Sequence, residues 1–264
     1  MKAYDFEYDG KRLSSFGCVI VSFDDKGLET VDGIEINFNT ISSFNGLKRH
    51  LISTTYEDCL TASIQIAKYS CATDIQEISS VEFREISKWL NRNRFLKLKI
   101  LDEDHIDLYY MASVASIGRI EFDGRLMGLE LDIVTNSPNA FKEPRTLIIN
   151  NTIKNGKHSI NDTSHEEGHI YPHTEITINE DGDLKIHNAI ENRETYIANC
   201  KSGEVITMDY PVIQSSVSSH NIQNDFNWEF FRVANTFEHS RNDLTISLPC
   251  SIKIVYSPIV KVGL

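Results

Sequence analysis

The sequence lacks the long apolar segments that would place a chain in a membrane or direct its export. No run approaches the length of about 18 apolar residues that a membrane-spanning helix needs, and the N-terminal stretch has no apolar core of a signal peptide. The five cysteines are odd in number and contain no C-x-x-C pair, which argues against a disulfide framework or a zinc site. We therefore expect free or buried thiols in a reducing compartment.

Basic residues are also few, with 26 Lys and Arg against 38 Asp and Glu and a net charge of −12. Binding of nucleic acid through its phosphates needs clustered basic side chains, so the charge favours a solvated acidic surface instead. P-loop, G-x-G-x-x-G and G-x-S-x-G motifs are absent too. The sequence therefore predicts a protein that is not an enzyme, with no catalytic residue, cofactor or metal.

One pentapeptide, His165-Glu-Glu-Gly-His169, matches the H-E-x-x-H pattern of zinc proteases. The pattern works only on a helix, where the two histidines lie one turn apart on one face. Gly168 disfavours that helix by about 1 kcal/mol relative to Ala, and Pro172 would clash with the carbonyl of Gly168. We therefore predict a loop and keep a metallopeptidase only as an alternative. Three glutamates are available as its third metal ligand: Glu175, Glu191 and Glu194.

Strand patterns dominate the first half of the chain. Residues 33–41 and 62–67 alternate apolar and polar side chains, which predicts two half-buried strands. One helix is expected, because Ser79 and Glu82 form a capping box. A core-facing apolar stripe follows: Phe83, Ile86, Trp89 and Leu90. Tyr109 and Tyr110 lie on a long strand whose neighbouring side chains point to opposite faces, so we expect at most one to be buried.

Asn136-Ser-Pro-Asn139 interrupts this pattern and marks the predicted domain boundary. Beyond it the sequence predicts about eight short strands, including 226–231, with a hairpin turn at 180–183. This spacing favours a β-sandwich of jelly-roll type. The predicted fold class is mostly β with one main α-helix, divided into domains 1–137 and 138–264.

The order of several short segments resembles the distal tail proteins (Dit-like) of long-tailed bacteriophages and prophages. In the first half these segments are Phe6-Glu-Tyr-Asp-Gly10, Ser15-Phe-Gly17, Trp89-Leu90, Tyr109-Tyr110, Phe122-Asp-Gly124, Leu129-Glu-Leu131 and Ser137-Pro138. In the second half they are Glu166-Glu-Gly-His-Ile-Tyr-Pro172, Glu175-Ile-Thr-Ile178, Gly182-Asp-Leu-Lys-Ile186, Asn188, Gly203-Glu-Val-Ile-Thr-Met-Asp209, Asp225-Phe-Asn-Trp228 and Cys250-Ser-Ile-Lys-Ile-Val-Tyr256. The resemblance covers most of the chain and rests on their order, since no single segment is specific.

The resemblance implies a structural component of the virion tail tip or baseplate, assembled in the bacterial cytoplasm. Its N-terminal domain is expected to be similar to tail-tube proteins and to form a ring that is usually hexameric. Its C-terminal galectin- or carbohydrate-module-like sandwich would project outward. The implied partners are further copies of the chain, the tail-tube protein, the tail-tip hub, the tape-measure protein and receptor-binding proteins. DNA would pass through the ring without specific binding, and the acidic charge is consistent with that passage.

The polar segment Ser42–Asp58 is the expected contact with a neighbouring protomer, because heterologous contacts close rings. The candidate contact residues are Phe44, Lys48, Arg49 and Tyr56. The alternative for this segment is an ordinary mobile loop.

A second function class is a cell-wall carbohydrate-binding module or adhesin, which would bind sugars through exposed aromatic rings of the C-terminal sandwich. Six aromatic residues are available: Tyr171, Tyr196, Tyr210, Phe226, Trp228 and Phe237. Packing in the core or between strands is the alternative for most of them.

Overall fold

The computed structural model describes residues 4–22, 36–42, 48–56, 59–70, 73–101, 107–236 and 238–261. The chain divides into two compact units, the first comprising the residues up to Lys142 with Lys261, and the second Glu143–Val260. The break predicted at Ser137-Pro138 lies a few residues before this division.

Among the described residues, the first unit is built from strands, a short 3₁₀ helix at Leu13–Phe16 and one α-helix. Its elements are β1 (Asp5–Tyr8), β2 (Lys11–Arg12), β3 (Cys18–Val21), β4 (Ile36–Ser42), β5 (Arg49–Tyr56), β6 (Thr61–Ser70), β7 (Thr73–Gln76), α1 (Ser80–Leu90), β8 (Leu96–Leu101), β9 (Leu108–Phe122), β10 (Arg125–Thr135) and β11 (Ala140–Lys142).

Seven of these strands form one antiparallel sheet in the order β2-β1-β8-β9-β10-β6-β3, with β7 added to β6 and β11 to β9. A hydrogen bond from Ile20 N to Tyr4 O, 3.2 Å long, links β3 back to the residue before β1. The sheet therefore curls toward closure, and apolar side chains on its inner face form the core of the first unit.

Helix α1 begins and packs as the sequence predicts. Ser79 and Glu82 form the capping box, with both reciprocal hydrogen bonds present. Trp89 is buried, stacks on Phe6 and Phe16 with ring centroids 5.7 and 4.8 Å away, and donates from Nε1 to Tyr8 O at 2.9 Å. Ile86 and Leu90 are buried as well, whereas Phe83 is only half-buried. The stripe thus faces the core, but its first residue sits at the margin.

Strands β4 and β5 form a separate two-stranded sheet, and in the described part of the chain they pair only with each other. The prediction of a half-buried strand over 33–41 is wrong for its described residues, because Ile36–Ile41 are exposed on both faces. The alternation that suggested a buried face is real, but no layer built from the described residues covers it. The corresponding prediction for 62–67 is confirmed, since Ile64 and Ile66 are buried on β6 while Ser63 is exposed.

The expectation that at most one of Tyr109 and Tyr110 is buried is also wrong. Tyr110 lies in the core of the first unit and Tyr109 is buried on the other face. Strand β11 pairs with β9 and brings Phe141 against the Tyr109 ring at 5.6 Å, and Lys97 Nζ lies 4.4 Å from the same ring. A short edge strand therefore covers the face that the alternation assigned to solvent.

The second unit contains, in its described part, twelve strands and a short helix. These are β12 (Arg145–Asn151), β13 (Gly156–Asn161), β14 (Gly168–Ile170), β15 (His173–Ile178), β16 (Gly182–Asn188), β17 (Arg193–Cys200), β18 (Val205–Asp209), β19 (Val212–Ser215), α2 (Ile222–Asp225), β20 (Val233–Asn235), β21 (Arg241–Ile246), β22 (Cys250–Tyr256) and β23 (Ile259–Val260).

Two sheets enclose the core of this unit, in the orders β12-β22-β15-β18-β19 and β13-β21-β16-β17. Without β19, these two sheets contain eight strands. When the eight are renumbered along the chain, the first sheet has the order first-eighth-third-sixth and the second sheet has the order second-seventh-fourth-fifth. This is the double-sheet arrangement of a jelly roll, so the predicted β-sandwich is confirmed.

Two local predictions in this unit are wrong. Residues 180–183 do not close a hairpin, because β15 and β16 belong to different sheets and the turn crosses from one layer to the other. Residues 226–231 do not form a strand and make only an isolated bridge between Phe226 and Ile197. Their aromatic side chains pack on one another rather than along a strand partner.

Candidate interaction surfaces

The His165–His169 pentapeptide does not form a helix. Residues 165–167 are a bend and Gly168–Ile170 are strand β14, paired with β20. Gly168 has a φ of +134°, a conformation that favours glycine, and His165 N donates to Ile259 O at 2.8 Å. The predicted loop is confirmed for residues 165–167, whereas Gly168 and His169 begin a strand, and the helix that the zinc-protease pattern needs is not formed.

The glutamates considered as third ligands each contact a cation instead. Glu175 pairs with Lys253 at 3.0 Å, Glu191 with Arg232 at 2.6 Å and Glu194 with Lys185 at 3.5 Å. The described residues contain no group of three or more His, Cys, Asp or Glu side chains placed to hold a metal ion.

The candidate protomer-contact residues map to the β4–β5 hairpin. Arg49 opens β5, Lys48 precedes it, and both are exposed. Tyr56 closes β5 opposite Ile36 in the pairing register. Phe44 lies outside the described residues. The structure therefore places three of the four predicted residues on one hairpin.

One face of the hairpin is mostly apolar, as the alternation over 33–41 indicated. The register sets Phe38 opposite Thr54 and Thr40 opposite Leu51, with a bulge between Asn39 and Thr40. Ile36, Phe38 and Leu51 share a face, and these side chains are 40%, 63% and 58% exposed. Asn37, Asn39, Ser53 and Thr55 share the opposite face with one large apolar side chain, Ile41, which is 58% exposed. Alternation alone identifies such a face but does not show whether it is covered.

An aromatic cluster lies on the second unit and joins four of the six aromatic residues considered as sugar contacts. Tyr171 and Tyr210 stack with centroids 4.2 Å apart and planes 12° apart. Phe230, which the sequence reading missed, contacts both Tyr210 at 5.3 Å and Phe226 at 5.0 Å. Trp228 packs on Phe226 at 5.7 Å. Phe226 and Phe230 are buried, but Tyr210 and Trp228 remain 58% and 54% exposed.

The two other candidate aromatics do not join this group. The Tyr196 hydroxyl donates to Asp183 Oδ2 at 3.0 Å, and Lys185 Nζ lies 5.2 Å from its ring. Phe237 lies outside the described residues. We call the surface formed by Tyr171, Tyr210, Trp228 and Phe230 the aromatic face.

Ion pairs border the aromatic face. Arg193 pairs with Glu229, the residue after Trp228. Arg232 holds Glu191 through two hydrogen bonds of 2.9 and 2.6 Å and also donates to the Tyr171 hydroxyl at 3.4 Å. That bidentate contact raises the pKa of Arg232 and fixes a planar donor beside the rings.

Trp228 has an unusual backbone conformation, with a φ of +61°. Bulky residues rarely adopt this left-handed region, which disfavours them by about 1–2 kcal/mol. Asn227 fixes the loop, because its side chain accepts from Tyr196 N and Glu229 N and donates to Glu194 O. The chain thus holds an indole at the surface in a conformation that a glycine would adopt more easily.

A buried polar group also stabilises this sandwich. Glu204 is fully buried and accepts hydrogen bonds from Ser215 Oγ at 2.5 Å and Lys201 N at 2.8 Å. His220 lies between Glu204 and Asp225, at 2.5 and 3.3 Å. Burial by itself raises the pKa of Glu204, but the hydrogen bonds from Ser215, Lys201 and His220 together outweigh it and lower the pKa.

Four cysteines fall among the described residues, and all four are free thiols: Cys18, Cys59, Cys200 and Cys250. Burial raises the pKa of Cys200 to about 11 and that of Cys250 to about 12. Thiols with such values stay protonated near neutral pH and are poor nucleophiles.

Comparison with known families matches both halves of the chain. Residues 1–137 match a family model described as a phage tail protein N-terminal domain, and residues 139–256 match a phage tail C-terminal domain. A comparison with curated proteins finds no match. No helix in the described part of the chain is long and apolar enough to cross a membrane.

A solved structure also matches, over nearly the full length of both chains. It is the Dit (gp 19.1) protein of phage SPP1, described as a paradigm of the hub adsorption apparatus in phages that infect Gram-positive bacteria. The TM-score is 0.65 at 9% sequence identity, and the alignment covers 97% of this chain and 99% of that one.

These matches define a structural component of a phage tail, and the chain belongs to the family of phage tail proteins whose N- and C-terminal domain models match it. Within that class its fold is the Dit fold. The expected resemblance to distal tail proteins is therefore confirmed.

Proposed function

We propose that this chain forms a ring at the tail tip or baseplate, joining the end of the tail tube to the tail-tip hub and to receptor-binding proteins. Residues 1–137 form the ring, which is hexameric, and residues 138–264 face outward. The observation that carries this proposal is the β4–β5 hairpin, which exposes an apolar face in a chain of a phage tail family.

A hairpin of this kind needs a partner. An isolated two-stranded sheet is only marginally stable in water, and a third strand or a packed layer normally covers it. Here Phe38 and Leu51 are more than half exposed on one face. Contiguous exposed apolar side chains of this size mark protein interaction surfaces.

A second copy of the chain is the partner that the charges favour. Lys48 and Arg49 are basic side chains on a protein with a net charge of −12, so a neighbouring copy presents an acidic surface to them. A hairpin that docks on a different surface of its neighbour makes a heterologous contact, and repetition of such a contact closes a ring.

The other partners follow from the position of the ring in a tail. The tail-tube protein, the hub and the tape-measure protein contact it, and DNA passes through it without specific binding. The excess of acidic residues supports that passage, because an acidic lumen repels the phosphate backbone. The ring assembles in the cytoplasm of the bacterial host, acts in the virion during host attachment, and has no catalytic role or cofactor.

Two neighbouring substitutions test the hairpin contact. Phe38→Asp places a carboxylate on the apolar face, and Asn37→Asp places the same charge on the opposite face of the same strand. Light scattering should give an oligomer mass for the wild type and Asn37→Asp and a protomer mass for Phe38→Asp. Circular dichroism checks that both variants remain folded.

An unchanged oligomer mass in Phe38→Asp would show that the hairpin does not form the contact between protomers. Equal loss of mass in both variants would assign the effect to added charge rather than to the apolar face. A wild-type chain that stays monomeric at high concentration, alone and with tail-tube protein, would contradict the ring itself.

A further inference from the structure

We propose that the aromatic face of the second unit is a binding site for a neutral oligosaccharide built from pyranose rings. The site consists of the exposed rings of Tyr210 and Trp228, supported by Phe230 and Tyr171, and of the Arg193–Glu229 and Arg232–Glu191 pairs beside them. The inference does not rest on ring formation, because every residue in it belongs to the second unit.

The rings are arranged to receive a ligand rather than to complete the core. Tyr171 stacks on Tyr210 at 4.2 Å and Phe230 meets Tyr210 in a T-shaped contact, yet Tyr210 is 58% exposed. More than half of this residue is therefore open to solvent. A pyranose presents an apolar face of C–H groups that packs on the negative face of an aromatic ring.

Trp228 provides the second contact. Both Tyr210 and Trp228 contact Phe230, at 5.3 and 6.4 Å, so a single buried ring supports two exposed ones. Two exposed rings on one support provide stacking positions for two sugars of one oligosaccharide. The left-handed backbone at Trp228 adds an independent observation, because residues held in such conformations cluster at ligand sites.

The charged side chains beside the rings can form hydrogen bonds with sugar hydroxyls. Arg193 and Arg232 offer planar donors, and Glu229 and Glu191 offer acceptors, all held in place by their mutual ion pairs. Hydroxyls can bond to both kinds of group without breaking those pairs.

The charge around the rings favours a neutral ligand. Asp209, directly before Tyr210, is 71% exposed, and the whole chain carries −12. A polymer of phosphates or carboxylates would meet like charge at this surface and bind more weakly.

Titration calorimetry of the full chain tests the site. The probes are hexasaccharides of glucose, galactose, mannose, rhamnose and N-acetylglucosamine, with polyglycerol phosphate as the anionic comparison. We expect saturable binding to at least one neutral probe. Tyr210→Ala and Trp228→Gly should each weaken that binding about tenfold or more, the scale on which stacking on an aromatic ring contributes to ligand affinity.

Trp228→Gly separates binding from folding, because glycine adopts the left-handed conformation without strain while the indole is lost. Tyr69→Ala is the matched control, since Tyr69 lies on the first unit and is 54% exposed, as Trp228 is. Its affinity for the neutral probe should equal that of the wild type.

Four results would overturn the proposal: no saturable heat with any neutral probe, unchanged affinity in Tyr210→Ala and Trp228→Gly, binding to polyglycerol phosphate alone, or self-association that buries Trp228. The last is detected as a concentration-dependent loss of acrylamide quenching. Each result leaves the ring proposal standing, because that is measured on the hairpin.

Discussion

The two tryptophans of this chain lie in aromatic clusters that differ in exposure to solvent. Trp89 is buried among Phe6, Tyr8 and Phe16, and its indole N–H bonds to a main-chain carbonyl. Trp228 is half exposed, with a left-handed backbone and ion pairs beside it. The same residue type therefore completes a core in the first unit and forms part of an open surface in the second.

The difference separates residues that stabilise the fold from residues available to a partner. Each Å² of apolar surface removed from water stabilises the folded state by about 25 cal/mol. The buried Trp89 side chain contributes nearly all of its apolar surface to this stabilisation, whereas the half-exposed Trp228 side chain contributes only part of it. The hairpin face resembles the Trp228 region in this respect, because Ile36 and Phe38 are exposed. Substitutions in the two aromatic regions should therefore differ in their effect on unfolding.

The largest effect is expected at Trp89. Trp89→Ala removes a buried ring and a hydrogen bond, so the first unit should lose about 3–5 kcal/mol of unfolding free energy. Chemical denaturation followed by circular dichroism measures the loss. A loss below about 1 kcal/mol would mean that the helix does not pack as described.

A smaller effect is expected at the buried polar group of the second unit. Glu204→Gln removes a charge that accepts several hydrogen bonds and contacts His220, which should destabilise this unit by about 1–3 kcal/mol. Glu194→Gln is the control, because Glu194 forms an exposed pair and such pairs contribute little. Equal losses in the two variants would contradict this account of Glu204.

The lowered pKa of Glu204 predicts that the stability of the second unit depends on pH. Because the folded-state pKa of Glu204 lies below its ordinary value of 4.5, its stabilising contribution is complete above that value. The contribution is lost as the pH falls below 4.5 and through the folded-state pKa. Denaturant melts of the wild type should therefore weaken over that acidic range more than melts of Glu204→Gln, and parallel curves would contradict the assignment.

Phe83 lies at the margin of the core of the first unit, so its substitution tests how tightly that margin is packed. Its ring is half-buried and covered on one side by Arg119, with 4.6 Å between the guanidinium carbon and the ring centroid. Phe83→Ala should therefore destabilise the first unit by about 1–2 kcal/mol, less than Trp89→Ala. A loss equal to that of Trp89→Ala, measured in the same melts, would show that the ring is fully packed.

The smallest effect on unfolding is expected at Trp228. Trp228→Gly loses contacts with Phe226 and Phe230 but relieves the left-handed backbone, and these contributions oppose each other at about 1 kcal/mol each. The unfolding free energy of the second unit should change by less than about 1 kcal/mol. A loss as large as that of Trp89→Ala would make Trp228 a core residue and remove the contrast between the regions.

The sequence was most informative where local chemistry decides the structure. The Ser79–Glu82 box and the stripe through Trp89 predicted α1, and Gly168 with Pro172 excluded the zinc-protease helix. Short strands with frequent turns predicted the sandwich. The contacts that cap α1, and the residues that exclude the zinc-protease helix, lie within a few residues of one another.

Predictions failed where distant contacts decide. Burial of Tyr109 depends on Phe141, which β11 brings to the edge of β9. The crossing at 180–183 depends on which strands pair across the sandwich. Exposure of the hairpin depends on the absence of a covering layer in the described part of the chain. Of the candidate surfaces, the sequence indicated Lys48, Arg49 and Tyr56 on the hairpin and Tyr171, Tyr210, Phe226 and Trp228 in the aromatic cluster. It did not indicate Phe230 or the arginines beside the rings.

The most direct test of the ring is electron microscopy of the purified wild-type chain mixed with its tail-tube protein. We expect closed rings with six protomers, in which density from a neighbouring protomer covers the Phe38 face of each hairpin. Single protomers throughout, or rings in which the Phe38 face stays open to solvent, would contradict it.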